Sequence, residues 1–314
     1  MPKDQFHQLH IDVARNATDD FNPFHDPHRW QNIRDNPYGG PIVLGFQLES
    51  LADYRIEQQH ASESGLDVVP LPFSNYEFHF ASALSPEEPF TVQVGRTQRK
   101  RDKAAGRTNR VVMRRADGRP IILGNRRDGL EPRFLPDWNP VDPSQLQGAS
   151  DRSFLSDGGL FLKRKYLNTS NGKNFLLGSL VDQYHYFDEL DERVSFPPVF
   201  VASLISCALL ERGRAEGCDF EDDPHVYASH RISIDRRLQG ALRSNNRVDV
   251  VVAAPTSRSG QPVNTAHPGE DAALLCHRCI MFTAGGEALL RCEVQTARLR
   301  DLMHDEEKNG ASTE

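Results

Sequence analysis

Tyr38-Gly39-Gly40-Pro41-Ile42-Val43-Leu44-Gly45-Phe46-Gln47-Leu48-Glu49 and Ser195-Phe196-Pro197-Pro198-Val199-Phe200-Val201-Ala202-Ser203-Leu204-Ile205-Ser206 are two versions of one passage. In both, proline heads an apolar run, where its missing N–H and fixed φ suit the start of a helix. The first run continues through Leu48, Leu51, Ala52, Tyr54 and Ile56, a helical period that fades into Gln58-Gln59-His60 and stops by Gly65. Helices apolar on nearly all sides must be covered by something larger than a neighbouring helix.

The flanking sequence supplies the cover. After the first helix, Tyr76, Phe78 and Phe80, then Phe90, Val92 and Val94, then Val111-Val112-Met113 and Ile121-Ile122-Leu123 alternate or cluster as strands do. Turn chemistry at Ser85-Pro86, Ala105-Gly106 and Asp117-Gly118 separates them, which predicts a meander of antiparallel strands. The second half repeats the order, with strand-like or irregular approaches at 160–167 and 175–187, the second helix, and strands at 226–234, 248–253, 273–282 and 288–299. Between the halves, Pro132, Pro136, Pro140 and Pro143 interrupt a polar stretch that predicts an extended surface linker. The expected division is therefore a first repeat at 1–130, a linker at 131–158, a second repeat at 159–303 and a disordered tail at 304–314. One helix wrapped by four or five antiparallel strands, twice over, is an α+β chain with two hotdog repeats. Such repeats can pair edge to edge as a pseudo-dimer within one chain, hiding strands that would otherwise be exposed.

Composition narrows the functional classes. With 314 residues, 38% of them hydrophobic and 26% charged, the chain can bury a sizeable core. A net charge of −7 argues against general nucleic-acid binding. The longest apolar run, 196–210, ends at Glu211, short of the roughly 20 residues of a membrane helix. Met1-Pro2-Lys3-Asp4-Gln5 lacks the apolar core of a signal peptide, so a cytoplasmic location is expected. Five cysteines, an odd number, imply reduced thiols; Cys276-His277-Arg278-Cys279 has no second ligand pair at zinc spacing and reads as strand.

Chemistry concentrates just upstream of the first helix, in Asp19-Asp20-Phe21-Asn22-Pro23-Phe24-His25-Asp26. An acid, an amide and an imidazole lie within six residues, and Asn-Pro starts a turn. Asp20-Phe21-Asn22-Pro23-Phe24-His25 resembles the Asp-x-Asn-Pro-hydrophobic-His signature of MaoC-like (R)-specific enoyl-thioester hydratases and dehydratases. Gly40-Pro41-Ile42-Val43-Leu44-Gly45 is similar to that family's second signature. The resemblance is specific over residues 12–55 and rests on element order elsewhere.

The resemblance implies a double hotdog that adds or removes water across the 2,3 double bond of an acyl thioester, carried on coenzyme A or an acyl carrier protein, with no cofactor and no metal. It implies Asp20 and His25 as the catalytic pair on one water, Asn22 fixing their turn, and Gly40, Leu44, Gly45 and Phe46 positioning the thioester. The helix N-terminus there would offer free N–H groups and its dipole to a developing enolate. The family commonly has histidine where Leu44 stands and glycine where Asp19 stands. Asp19, next to Asp20, is expected to point away to the surface.

The second half lacks the motif, so one active site per chain is expected, with further pairing into a homodimer left open. Its nearest counterpart, Asp182-Gln183-Tyr184-His185, could join Ser179 as a triad, although no nucleophile elbow surrounds Ser179. The basic run Arg96, Arg99, Lys100, Arg101, Lys103, Arg107, Arg110, Arg114 and Arg115 reads either as a phosphate or carrier-protein rim or as the wet face of a hairpin. Two other functions compete: thioester hydrolysis by Glu49 or Asp53 on the first helix, residues more commonly on a solvated face, and non-catalytic acyl binding.

Overall fold

The computed structural model describes residues 4–63, 71–100, 106–155, 159–263 and 273–302. The expected tail at 304–314, the end of the linker at 156–158, and Arg101 and Lys103 of the basic run lie outside the described residues. The helices are α1 (Gln8–Thr18), α2 (Gly45–Ser62), α3 (Thr169–Gly178), α4 (Pro198–Glu216) and the short α5 (Arg236–Gly240). In the first half the strands are β1 (Asp4–Gln5), β2 (Phe73–Phe80), β3 (Pro89–Val94), β4 (Gln98–Lys100), β5 (Gly106–Arg115) and β6 (Pro120–Gly129). The second half has β7 (Ser153–Phe154), β8 (Leu160–Tyr166), β9 (Phe187–Asp188), β10 (Arg193–Val194), β11 (His225–Asp235), β12 (Arg247–Ala253), β13 (Leu274–Thr283) and β14 (Ala288–Arg298).

All but β9 and β10 belong to one antiparallel sheet, in the order β1-β3-β5-β6-β2-β11-β14-β13-β12-β8-β7, with β4 beside β5. The halves meet at β2 and β11, where Phe78 faces His230 and Tyr76 faces Ile232. Edge-to-edge pairing thus satisfies two strands that each half alone would leave open. Of the expected meander, β3, β5 and β6 follow one another as antiparallel neighbours, but β2 pairs with β6 instead of β3, which carries β2 to the inner edge where it can meet β11.

The two central helices differ in a way the matching passages hide. Along α4, residues from Pro198 to Ala208 are all buried, serines included, so the first three turns of this helix are a rod enclosed on every side. Helix α2 instead buries Gln47, Glu49, Ser50 and Asp53 among its apolar residues. The solvated face expected for Glu49 and Asp53 is therefore corrected. Glu49 is paired with His230, both fully buried, and Asp53 with Arg126. Arg126 also engages Glu57 and Asp128, and Asp128 is held in turn by Arg107. Position along the helix suggested a wet face, but a sheet curved around α2 reaches further round it than a single packing partner would.

A second correction concerns 175–187, where strand-like or irregular segments were expected: α3 occupies the beginning, and the rest is irregular up to β9. Its N-cap Asn168 accepts a hydrogen bond from Ser170 N–H. Two glycines, costly in a helix by propensity, are required by packing. A Cβ on Gly178 would lie 2.7 Å from the His10 carbonyl and 2.8 Å from Ala14 Cβ on α1. Tertiary contact between α1 and α3 outweighs the local preference.

The proline-spaced segment does more than span a gap. Val141 and Leu146 pack with Leu162, Val251 and Ile280 in a separate apolar cluster, whereas Val248, Val250 and Val252 belong to the main core with α4. Alternation along β12 sends these two sets to opposite faces. That strand is thus covered on both sides, and its sequence, Val248 to Ala253, reads as nearly continuous valine for the same reason.

Candidate active site

The acid-to-imidazole motif follows α1 through a tight hook. Asp19 caps α1 in the left-handed region, φ 56°, a conformation aspartate tolerates. Its carboxylate points outward to Lys165 of β8, whose ammonium also bonds the Thr18 carbonyl at 3.2 Å, a cation where the helix dipole favours one. Asp20 turns inward and is 5% exposed. Its Oδ1 accepts from the Asn22 N–H at 2.9 Å, and the Asn22 side chain accepts from Phe24 N–H at 3.1 Å. Pro23 opens a single 3-10 turn that ends on His25.

Two bonds tie this turn to the strand-like approach to α2. Ile42 N–H donates to the Phe24 carbonyl at 2.9 Å, and His25 Nδ1 donates to the Ile42 carbonyl at 2.8 Å. With Nδ1 carrying the proton, Nε2 is left as an acceptor. Burial holds His25 below the ordinary imidazole range, while the charge of Asp20 and the Ile42 bond pull it back up. His25 is thus a neutral base with a carboxylate close enough to stabilise the cation it would become.

A cavity of about 390 Å³ lies against this arrangement, lined by Asn22, His25, Gly45, Phe80, Tyr227 and further apolar side chains. Gly45 is the first residue of α2, so its N–H belongs to the turn whose donors have no partner within the helix. Of the other expected positioning residues, Gly40, Leu44 and Phe46 do not line it. Leu44 N–H is already committed, donating to Gln47 Oε1 at 3.1 Å, which corrects its expected part as a donor to substrate. Gln47 meanwhile donates to the carbonyls of His10 and Gly178, knotting α1, α2 and α3 at one buried point. Gly45 is needed for packing as well as approach: a Cβ there would sit 2.8 Å from the Phe80 ring.

Asp20 lies one layer behind the cavity wall, and the second half holds it there. Ser206 of α4 donates to Asp20 Oδ2 at 2.6 Å, and the Tyr227 hydroxyl of β11 donates to Ser206 Oγ at 2.9 Å. Burial and the Asp20 charge push the Tyr227 phenol well above its usual value, so it remains a donor. Neither residue belongs to a motif. The available hint was a serine inside an otherwise apolar helix run.

Other candidates separate. Ser179 Oγ is buried without a hydrogen-bond partner, Asp182 caps a turn by accepting from Tyr184 N–H, and the His185 ring packs on Tyr54 and Tyr186. The imagined triad does not form. In the basic run, Arg107 is tied to Asp128, and Arg115, which lines the cavity, to Glu88 and the Ala83 carbonyl. Arg110 is exposed on the opposite face of β5 from the buried Asn109 and Val111. Among the described residues no group of three or more His, Cys, Asp or Glu is placed to hold a metal ion.

The sequence matches no protein-family model and no curated protein. Solved structures do match along nearly the whole chain. A MaoC-like dehydratase superposes with a TM-score of 0.59 at 9% identity, covering 94% of this chain and 95% of its own. The chain has the double hotdog fold. A conserved hypothetical protein from Mycobacterium tuberculosis, described as having a double hotdog fold, gives 0.58 at 10% identity over 95% of this chain and 94% of its own. A protein from Chloroflexus aurantiacus described as a MaoC domain dehydratase gives 0.58 at 9% identity over 95% and 93%. At such identities the double hotdog is what these proteins share with this one. No helix among the described residues is long and apolar enough to cross a membrane.

Proposed function

We propose that this double hotdog hydrates or dehydrates an acyl thioester, on coenzyme A or an acyl carrier protein, at the cavity beside His25. The supporting observation is the fixed tautomer: His25 Nδ1 is spent on the Ile42 carbonyl, which leaves a neutral Nε2 next to the first turn of α2. In hydration His25 takes a proton from water, the hydroxyl oxygen bonds to C3, and the 2,3 π pair moves toward the thioester carbonyl. The Gly45 N–H and the dipole of α2 stabilise the enolate oxygen. The proton held on His25 then passes to C2, and Asp20 offsets the imidazolium charge meanwhile. Dehydration runs the same steps backward.

Thioester hydrolysis would need Glu49 or Asp53 to activate water, and both are buried in ion pairs away from the cavity lining. Non-catalytic acyl binding is the reading the experiment must separate. Loss of the conjugated enoyl-thioester absorbance is followed with crotonyl, hexenoyl and decenoyl substrates on both carriers. Turnover that falls about 100-fold or more in Asp20→Asn and His25→Ala, with both variants folded, supports the proposal. Wild-type protein that binds these thioesters without consuming any is a binding protein. The cytoplasmic location and the division at 1–130, 131–158 and 159–303 belong to the same proposal; pairing into a homodimer stays open.

A further inference from the structure

Two fully buried titratable side chains have no part in the mechanism above. Glu49 follows Gly45 by about one turn of α2, so the two share a helix face, and a helical side chain reaches back over the turn before it. Glu49 Oε1 lies 2.7 Å from His230 Nδ1 on β11, and neither side chain has any exposure. The same imidazole meets Tyr227 edge to face with ring centroids 4.5 Å apart, Phe80 in the same manner at 5.0 Å, and Phe46 at 4.6 Å. Tyr227 and Phe80 line the cavity beside His25, whereas Glu49 and His230 do not. A Cβ on Gly45 would sit 2.8 Å from Phe80 and 3.5 Å from Tyr227, so the first turn of α2, the two rings and the acid–imidazole pair pack as one unit.

Packing alone does not call for an acid and an imidazole at this place. A buried polar pair gains little or nothing over apolar side chains of similar volume, because both groups are taken out of water. What the pair supplies is direction. A hydrogen bond at one ring nitrogen fixes the plane of the imidazole, and edge-to-face contact passes that plane to the neighbouring ring. Tyr227 is the ring that needs it. Its hydroxyl donates to Ser206 Oγ at 2.9 Å, and Ser206 donates to Asp20 Oδ2 at 2.6 Å, bonds that weaken steeply when misaligned.

Resting on the hydratase reading above, we propose that Glu49 and His230 are positioning residues for the reaction: their bond sets the plane of the His230 ring, this ring aims Tyr227, and Tyr227 steadies Ser206 against Asp20. The pair touches neither substrate nor the reacting atoms. It acts on the rate from behind the cavity wall, through one tyrosine.

The test uses the full chain, with kcat measured by loss of enoyl-thioester absorbance. Glu49→Leu with His230→Phe keeps apolar packing and removes the bond; kcat should fall about two- to tenfold, as expected for loss of the Tyr227 bond itself. Adding Tyr227→Phe to that background should lower it no further, because both changes break the same chain of contacts. Glu49→Gln retains an acceptor for His230 Nδ1 and should stay within about twofold of wild type. A folded pair variant with wild-type kcat overturns the proposal, as do losses that multiply with Tyr227→Phe or a Glu49→Gln enzyme as slow as the pair variant. If the pair variant does not fold, His230→Phe alone carries the same expectations, since burial raises the Glu49 carboxyl and favours its uncharged form once the imidazole is gone. Fluorine on the Tyr227 ring gives a reading without turnover: a single narrow resonance in wild type and in Glu49→Gln, shifted or broadened when the pair is replaced. That resonance change in a protein that consumes no thioester would remove the hydratase reading and keep the positioning assignment; turnover with resonance and kcat both unchanged in the pair variant would do the reverse.

Discussion

Ser206→Ala removes one of the two donors that hold Asp20 and leaves the Tyr227 hydroxyl without its acceptor, while the apolar environment of α4 is unchanged. A hydrogen bond to a charged group contributes about 1.5–3 kcal/mol net. If the Asp20 carboxylate must be held in place for its charge to act on the His25 cation, kcat should fall roughly 10- to 150-fold, since each 1.36 kcal/mol is tenfold in rate. KM should change little, because Ser206 does not line the cavity. Tyr227→Phe keeps the ring in the wall and deletes a bond between neutral groups, so about two- to tenfold is expected from roughly 0.5–1.5 kcal/mol. The double variant should be no slower than Ser206→Ala, because Tyr227 reaches Asp20 through Ser206. Ser206→Thr, which retains the hydroxyl, should restore much of the rate. The assay is loss of enoyl-thioester absorbance with kcat and KM resolved, alongside circular dichroism and thermal melting. A folded Ser206→Ala enzyme with wild-type kcat, or one altered in KM alone, would refute the idea that the second half positions the acid.

Gly45→Ala places a methyl 2.8 Å from Phe80 Cζ, so the ring must swing toward the cavity or strain of about 1–3 kcal/mol must be absorbed; KM should rise, and Phe80→Leu in that background should lower it again. Glu49→Leu strands His230 in a site with no exposure and should cost about 3–5 kcal/mol in urea denaturation, of which Glu49→Leu with His230→Phe should recover a large part. Costs that simply add would count against a mutual pair. His277 is lowered to about 3 and His25 is lowered by burial, so between those folded values and the unfolded value of about 6.5 the unfolded chain binds more protons. Stability from both groups is therefore complete above that range and is lost as pH falls through it. The urea midpoint should drop between pH values of about 7.5 and 5, less so in His277→Gln; a midpoint that rises on acidification contradicts the sign.

Periodicity was enough to read the two wrapped helices and most strands, because a 3.6 or 2.0 repeat of apolar side chains is a local property of the chain. The hook from Asp20 to His25 was legible for a similar reason: its bonds join residues two or three apart, and an Asn-Pro turn is encoded where it forms. What the sequence did not show was every relation between distant residues. The pairing of β2 with β11 and the burial of Glu49 against His230 join positions more than 150 residues apart. The Ser206 bond to Asp20 spans 186. These contacts use ordinary serine, tyrosine, glutamate and histidine, whose types announce no partner. Only the shared sheet and the helices packed on it bring such groups together, and in that dry interior each must find a complement or go without.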